Sequence, residues 1–103
     1  MNPTLVEAQL PRFTCLYQNE PNPFNPATRI RFDLAQQGQA EIRIFAVSGC
    51  CIRTLVSGTL RGGRHEVTWN GLDDAGRRVS SGVYFYRLRT DDYSATRKLI
   101  VMK

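Results

Sequence analysis

The sequence predicts an all-β fold, an antiparallel β-sandwich of about seven short strands. Three observations lead there. Apolar and polar residues alternate with period two in several short runs, and turn residues recur about every ten positions. No stretch carries a persuasive helical period. A small barrel would leave similar marks and is the structural alternative. At 103 residues the chain has room for one domain. A chain of that size buries roughly 65% of its unfolded surface, enough for one real core.

Residues 1–16, with Pro3 and Pro11, read as a lead-in, and the folded domain is expected over 17–103. Pro21-Asn22-Pro23-Phe24-Asn25-Pro26 then bars both helix and central strand, giving a rigid, partly polyproline-like segment. Phe24 in its middle is expected to plug the core. Ile30, Phe32 and Leu34 alternate with Arg29, Arg31 and Asp33, and Gln36-Gln37-Gly38 turns the chain. Ala40, Ile42, Ile44 and Ala46 alternate with Glu41, Arg43 and Phe45. Ser48-Gly49 turns again, Cys51 to Val56 is the next strand, and Ser57-Gly58 punctuates it.

Gly62-Gly63 suits a primed hairpin turn. His65, Val67 and Trp69 share a face opposite Glu66 and Thr68. Asn70 to Gly82 is a long loop of turn formers, in which Gly71, Gly76 and Gly82 permit positive φ. Asn70 and Asp73 there suit Asx turns. Val83 to Thr90 is the most aromatic strand, with Tyr84, Tyr86 and Leu88 on one side and Val83 and Phe85 on the other. Asp91-Asp92 turns into a last strand from Ser94 to Met102. There Leu99 and Val101 alternate with Lys98, Ile100 and Lys103, so that one face can dock on the core. Trp69 and Tyr84 on inward faces would supply large apolar area.

The composition, 42% hydrophobic and 22% charged, is that of a globular domain rather than a disordered tail. No apolar run is long enough for a membrane-spanning helix. The first ten residues lack the apolar core of a signal peptide, so any export signal would belong to a longer parent chain. Fourteen cations against nine acids leave a net charge of +5, and twelve of the cations are arginines. They are scattered, with no run of three, which favours a mixed solvated surface over nucleic-acid binding. Cys15, Cys50 and Cys51 are neither a disulfide framework nor a zinc motif, and read as small apolar fillers.

Candidate chemistry is sparse. His65 is the only histidine, so no histidine metal cluster can form in one chain. A nucleophilic triad could be imagined from Ser80 or Ser81, His65 and Asp73. There is no G-x-S-x-G elbow, and His65 is better explained as a hydrogen-bonded strand residue. Asn70, Asp73 and Asp74 lack the spacing of a calcium loop, and capping is favoured. No catalytic, cofactor or metal site is expected. Phe45 and Phe85 could form an aromatic patch on a surface-binding face.

The motifs carry a resemblance. Pro21 to Phe32, reading PNPFNPATRIRF, resembles the opening of the type A C-terminal sorting domains of the bacterial type IX secretion system. Gly63, His65, Val67, Trp69, Asn70, Gly71, Asp73, Gly76, Val79, Gly82, Tyr84 and Tyr86 match a pattern shared with the immunoglobulin-like domain of the flagellar hook-capping protein. The ending, with Lys98, Leu99, Ile100, Val101, Met102 and Lys103, is similar to the last strand of the sorting family. Cys50 and Cys51 stand in a turn where that family usually has polar or basic residues, and Asn70 stands where Asp is commoner.

The resemblance implies an immunoglobulin-like sandwich acting as a non-catalytic secretion and sorting signal. A passenger domain would precede it in a longer parent chain. An outer-membrane translocon would recognise Lys98 to Lys103, capturing the exposed end by strand addition. A sortase-like peptidase would cut in the lead-in before Pro21, leaving the passenger secreted or anchored at the cell surface after passing through the periplasm. Deleting Lys98 to Lys103 is then expected to abolish export and leave most of the sandwich folded. A structural or assembly module like the hook-cap domain is the alternative.

Overall fold

The computed structural model describes residues 10–102. Seven strands follow in order: β1 (Cys15–Leu16), β2 (Thr28–Leu34), β3 (Gly38–Ala46), β4 (Cys51–Leu60), β5 (Gly63–Trp69), β6 (Gly82–Thr90) and β7 (Ser94–Val101). They build two antiparallel sheets, β1-β2-β5 and β4-β3-β6-β7. No helix occurs among the described residues. The fold is therefore the all-β immunoglobulin-like sandwich, with two separate sheets rather than one closed barrel.

Period-two patterning decides which side of each strand is inside. Ile30, Phe32 and Leu34 of β2, Ile42 and Ile44 of β3, and Leu88 of β6 are all buried between the sheets. Each such side chain stabilises the fold by about 1.5–3 kcal/mol on burial. Trp69 is fully enclosed, with the Phe24 ring 5.4 Å away on one side and Tyr84 meeting it edge-on at 6.0 Å. Its indole N–H donates to the Leu72 carbonyl at 2.9 Å, so the large ring is buried without an orphaned donor.

Several expectations need correction. Gly62-Gly63 is not a hairpin turn, because β4 pairs with β3 while β5 pairs with β2. The chain crosses from one sheet to the other there, as it also does between β2 and β3. These two corners abut: a Cβ on Gly62 would come within 3.1 Å of the Gln36 Cα, so the glycine permits a close backbone approach. Ser57-Gly58 does not end a strand. β4 runs on to Leu60 because β3 continues to offer in-register partners, with Ala40 opposite Gly58 and Gly38 opposite Leu60.

Residues 15 and 16, placed in the lead-in, form β1, where two residues are too few for alternation to be read. Leu16 is buried opposite Phe32. Pro21 to Pro26 is a series of bends around one bridging residue, Phe24, rather than a polyproline stretch. Cys50 and Cys51 are exposed rather than core fillers. Cys50 lies in the β3–β4 turn, and Cys51 stands opposite Phe45. Cys15 is half-buried.

Candidate functional site

The terminal strand is where sequence motifs and a possible recognition role coincide. Leu99 and Val101 of β7 point into the core, 0% and 7% exposed, as their alternation predicts. Lys98 and Met102 are exposed and Ile100 is half-buried. Lys103, also assigned to recognition, lies outside the described residues. One edge of β7 is paired with β6, with Leu99 opposite Tyr84 and Val101 opposite Gly82.

The other edge is not free. Phe24 N–H donates to the Ile100 carbonyl at 3.1 Å, and Met102 N–H donates to the Phe24 carbonyl at 2.9 Å. Ile100 N–H donates to Asn22 Oδ1 at 2.9 Å, and Gln18 Nε2 donates to the Lys98 carbonyl at 2.8 Å. The PNPFNP segment and Gln18 together therefore occupy the backbone positions that strand addition at residues 98–102 would need. The expected exposed end presents side chains, chiefly Lys98 and Met102, and not an open ladder. Phe24, 2% exposed, plugs the core as expected while its backbone seals the edge.

A buried polar network fixes the seal in place. Asn19 N–H donates to the Tyr86 hydroxyl at 2.8 Å, and that hydroxyl donates to the Tyr17 carbonyl at 2.7 Å. Burial pushes the Tyr86 pKa up to about 12, keeping the hydroxyl protonated and able to donate. Asn19 Nδ2 donates to Thr28 Oγ1 at 3.0 Å, and Thr28 Oγ1 donates to the Pro21 carbonyl at 2.8 Å. Asn19 and Thr28 are each only 1% exposed. Sequence reasoning missed Gln18 and Asn19, which show no periodicity, and saw Thr28 only as a motif letter.

The Asn70–Gly82 loop treats the opposite edge of the same sheet in a parallel way. Asp74 N–H donates to the Ile52 carbonyl at 2.9 Å, and Asp74 Oδ1 accepts from Thr54 N–H at 3.2 Å. The loop thus covers part of the outer edge of β4. Its shape comes from the expected Asx turns: Asn70 Oδ1 accepts from Leu72 N–H, and Asp73 Oδ1 from Ala75 and Arg77 N–H at 3.0 and 2.9 Å. Gly71, Gly76 and Gly82 all adopt positive φ, as the turn pattern predicts. Most of the motif residues therefore build the loop, the core and the two sealed edges.

The imagined triad is not assembled. His65 Nε2 lies 2.8 Å from the Arg61 carbonyl and its ring stacks on Phe32 at 5.2 Å, while Asp73 is engaged with its own loop. No group of three or more His, Cys, Asp or Glu side chains is placed to hold a metal ion among the described residues. Tyr17, Arg31, Asp33, Arg64 and His65 line a shallow groove of about 280 Å³. There the Tyr17 hydroxyl donates to Asp33 at 2.5 Å, and that carboxylate pushes the phenol up to about 12.

Comparison with known proteins agrees with this architecture. The FlgD Ig-like domain family matches residues 20–93, well over half the chain, and the chain belongs to that family. Its fold is similar to part of dimeric latent PorU from Porphyromonas gingivalis, with a TM-score of 0.66 and 18% identity over 86% of this chain and 9% of PorU. It is also similar to part of PorZ, an essential surface component of the type-IX secretion system of Porphyromonas gingivalis. That match has a TM-score of 0.58 and 22% identity over 85% of this chain and 11% of PorZ. The chain thus spans about a tenth of each of these proteins. No curated protein sequence matches it.

Proposed function

We propose that this domain is a non-catalytic C-terminal sorting module of the type IX secretion system. It would direct an N-terminal passenger across the outer membrane to the cell surface. The observation that carries the reading is the union of the two family-like motifs: the PNPFNP segment is hydrogen-bonded along the last strand, making one composite surface. The fold likeness to PorZ, a named surface component of that system, supports the same reading. A translocon would read the side chains of Lys98 and Met102 on the sealed edge. Alternatively, it would engage residues 98–103 before Phe24 docks on them. A sortase-like peptidase would cut upstream of Pro21.

Deleting Lys98 to Lys103 is a poor test, contrary to the sequence-based expectation. The deletion removes buried Leu99 and Val101 and uncovers Phe24. Those losses are a large share of a domain stability of about 5–15 kcal/mol. The better test fuses a signal peptide and a fluorescent passenger to residues 1–103 in a bacterium with a working type IX system. Surface-exposed, protease-accessible passenger that is lost on Lys98→Glu with Met102→Asp supports sorting. Those exposed positions should change stability by no more than about 0.5 kcal/mol.

The second reading is a structural module like the hook-cap domain, favoured by the FlgD family match and by the larger sheet having its β7 edge sealed and its β4 edge partly covered. Passenger retained in the periplasm beside a folded domain would select it.

A further inference from the structure

The outer face of β3 and β6 carries an arrangement that neither the core nor the terminal strand requires. Arg43 stands directly opposite Arg87, Glu41 opposite Arg89, and Phe45 opposite Phe85. On one side β7 adds Lys98 beside Phe85 and short side chains, Thr96 and Ser94, beside the arginines. On the other, β4 sets Thr54 opposite Arg43 and Ser57 opposite Glu41. Arg43, Arg87, Arg89 and Lys98 stand here against Glu41, with Asp91 lining the same depression as Glu41 and Arg89 at one end, so the face is net positive.

Like charges directly opposite each other on a sheet destabilise it. Here a single carboxylate serves all three arginines. Glu41 Oε2 lies 3.1 Å from Arg43, and Oε1 lies 3.5 Å from Arg87 and 3.3 Å from Arg89. Three guanidinium groups bring far more donors than one carboxylate can accept. Arg43 Nε and Arg87 Nε, both buried, have no hydrogen-bond partner among the described residues, and Glu41 Oε1 meets its two arginines as ion pairs without a hydrogen bond. The guanidinium of Arg87 lies 4.8 Å over the Phe45 ring, which holds the charge in place.

We propose that this face docks an acidic protein segment in extended conformation, with carboxylates at alternate positions. Charge complementarity selects the partner's sign, and spacing selects its form. Arg87 and Arg89 are two residues apart on one strand, about 6.6–6.8 Å, which is also the separation of same-face side chains on an extended peptide. Paired carboxylates would meet the two guanidinium groups, and an apolar side chain two positions further along, on the same side of the peptide, would lie toward Phe85 and Val83. A stacked base or sugar is disfavoured, because Arg87 already covers the Phe45 ring. The face shares Lys98 with the edge of β7 discussed above, but its three arginines lie on β3 and β6, so the proposal does not depend on the sorting role.

The test uses the 103-residue chain and a labelled peptide in which aspartates alternate with leucines. A matching asparagine peptide and heparin serve as comparison probes. The acidic peptide should bind with an affinity that falls as salt rises. Replacing both Arg43 and Arg87 by Gln should weaken it about tenfold, whereas replacing Arg61 and Arg77, which lie off this face, should change it less than about twofold. Glu41→Gln removes the competing carboxylate and should tighten binding, so the proposal stays testable even where the double arginine variant fails to fold. Equal binding of the asparagine peptide, no effect of Glu41→Gln, or heparin bound as tightly as the acidic peptide would each overturn it. The heparin result would assign the face to polyanionic polymers instead.

Discussion

Phe24 and Val101 are parallel bridge partners: Phe24 hydrogen-bonds to the residues on either side of Val101, while its ring packs against Trp69. One residue of the PNPFNP segment thereby joins the core to the last strand. Phe24→Ala should cost about 3–5 kcal/mol, the usual range for emptying a buried phenylalanine site. Urea denaturation measures it. Amide exchange at Ile100 and Met102 should quicken beyond what the global loss predicts, because the seal as well as the core is weakened.

Tyr86 should give the domain an alkaline limit. Its folded pKa, raised to about 12 from 10.0 by burial, means that the folded state holds the proton more tightly than the unfolded chain. The stability it contributes is complete below pH 10 and is lost as pH rises towards 12. Tyr17 is shifted the same way by Asp33 and adds to the decline. Tyr86→Phe should lower stability at pH 7 by about 1–3 kcal/mol, since the Asn19 N–H and Tyr17 carbonyl lose their buried partner. It should also flatten the fall above pH 10. Urea melts at a series of pH values separate the two effects.

Gly62→Ala tests the abutting corners. With the new Cβ 3.1 Å from a backbone carbon, the two sheet crossings must part slightly. The expected cost is about 1–3 kcal/mol. The same change at Gly38, where nothing lies within 4 Å of a Cβ, should cost less. Thermal unfolding of both variants makes the comparison.

Asp74→Ala should uncover the outer edge of β4. Thr54 N–H loses its acceptor, at a cost of about 1 kcal/mol. The clearer signature is self-association, since an uncovered strand edge is a template for pairing. Light scattering at increasing concentration should show dimers or larger species for the variant and not for the parent.

Strand positions and inward faces were legible in the sequence because burial on one side of a strand enforces alternation. Ile30, Phe32, Leu99 and Val101 needed nothing else. The Asn70–Gly82 loop was legible through the local chemistry of Asx residues and glycines. What local pattern could not reveal was which strand pairs with which. Gly62-Gly63 has the composition of a hairpin turn, and only the competition between β2 and β3 for the flanking strands makes it a corner. The sealing of β7 was hidden for the same reason, since Asn22 and Ile100 are 78 positions apart. Family-like motifs marked both ends of that contact without showing that they meet.

The long reach of that contact has a kinetic consequence. Asn22 leaves the ribosome well before Ile100, and at about 5–20 residues per second the delay is roughly 4–16 s. Throughout that interval the PNPFNP segment has no strand to fasten to, and the Phe24 ring has no complete core to enter. Closing so long a loop is also slow once the chain is whole. The nascent domain therefore passes through a protracted open period, in which chaperones or transport factors can hold the chain before the two motifs lock together.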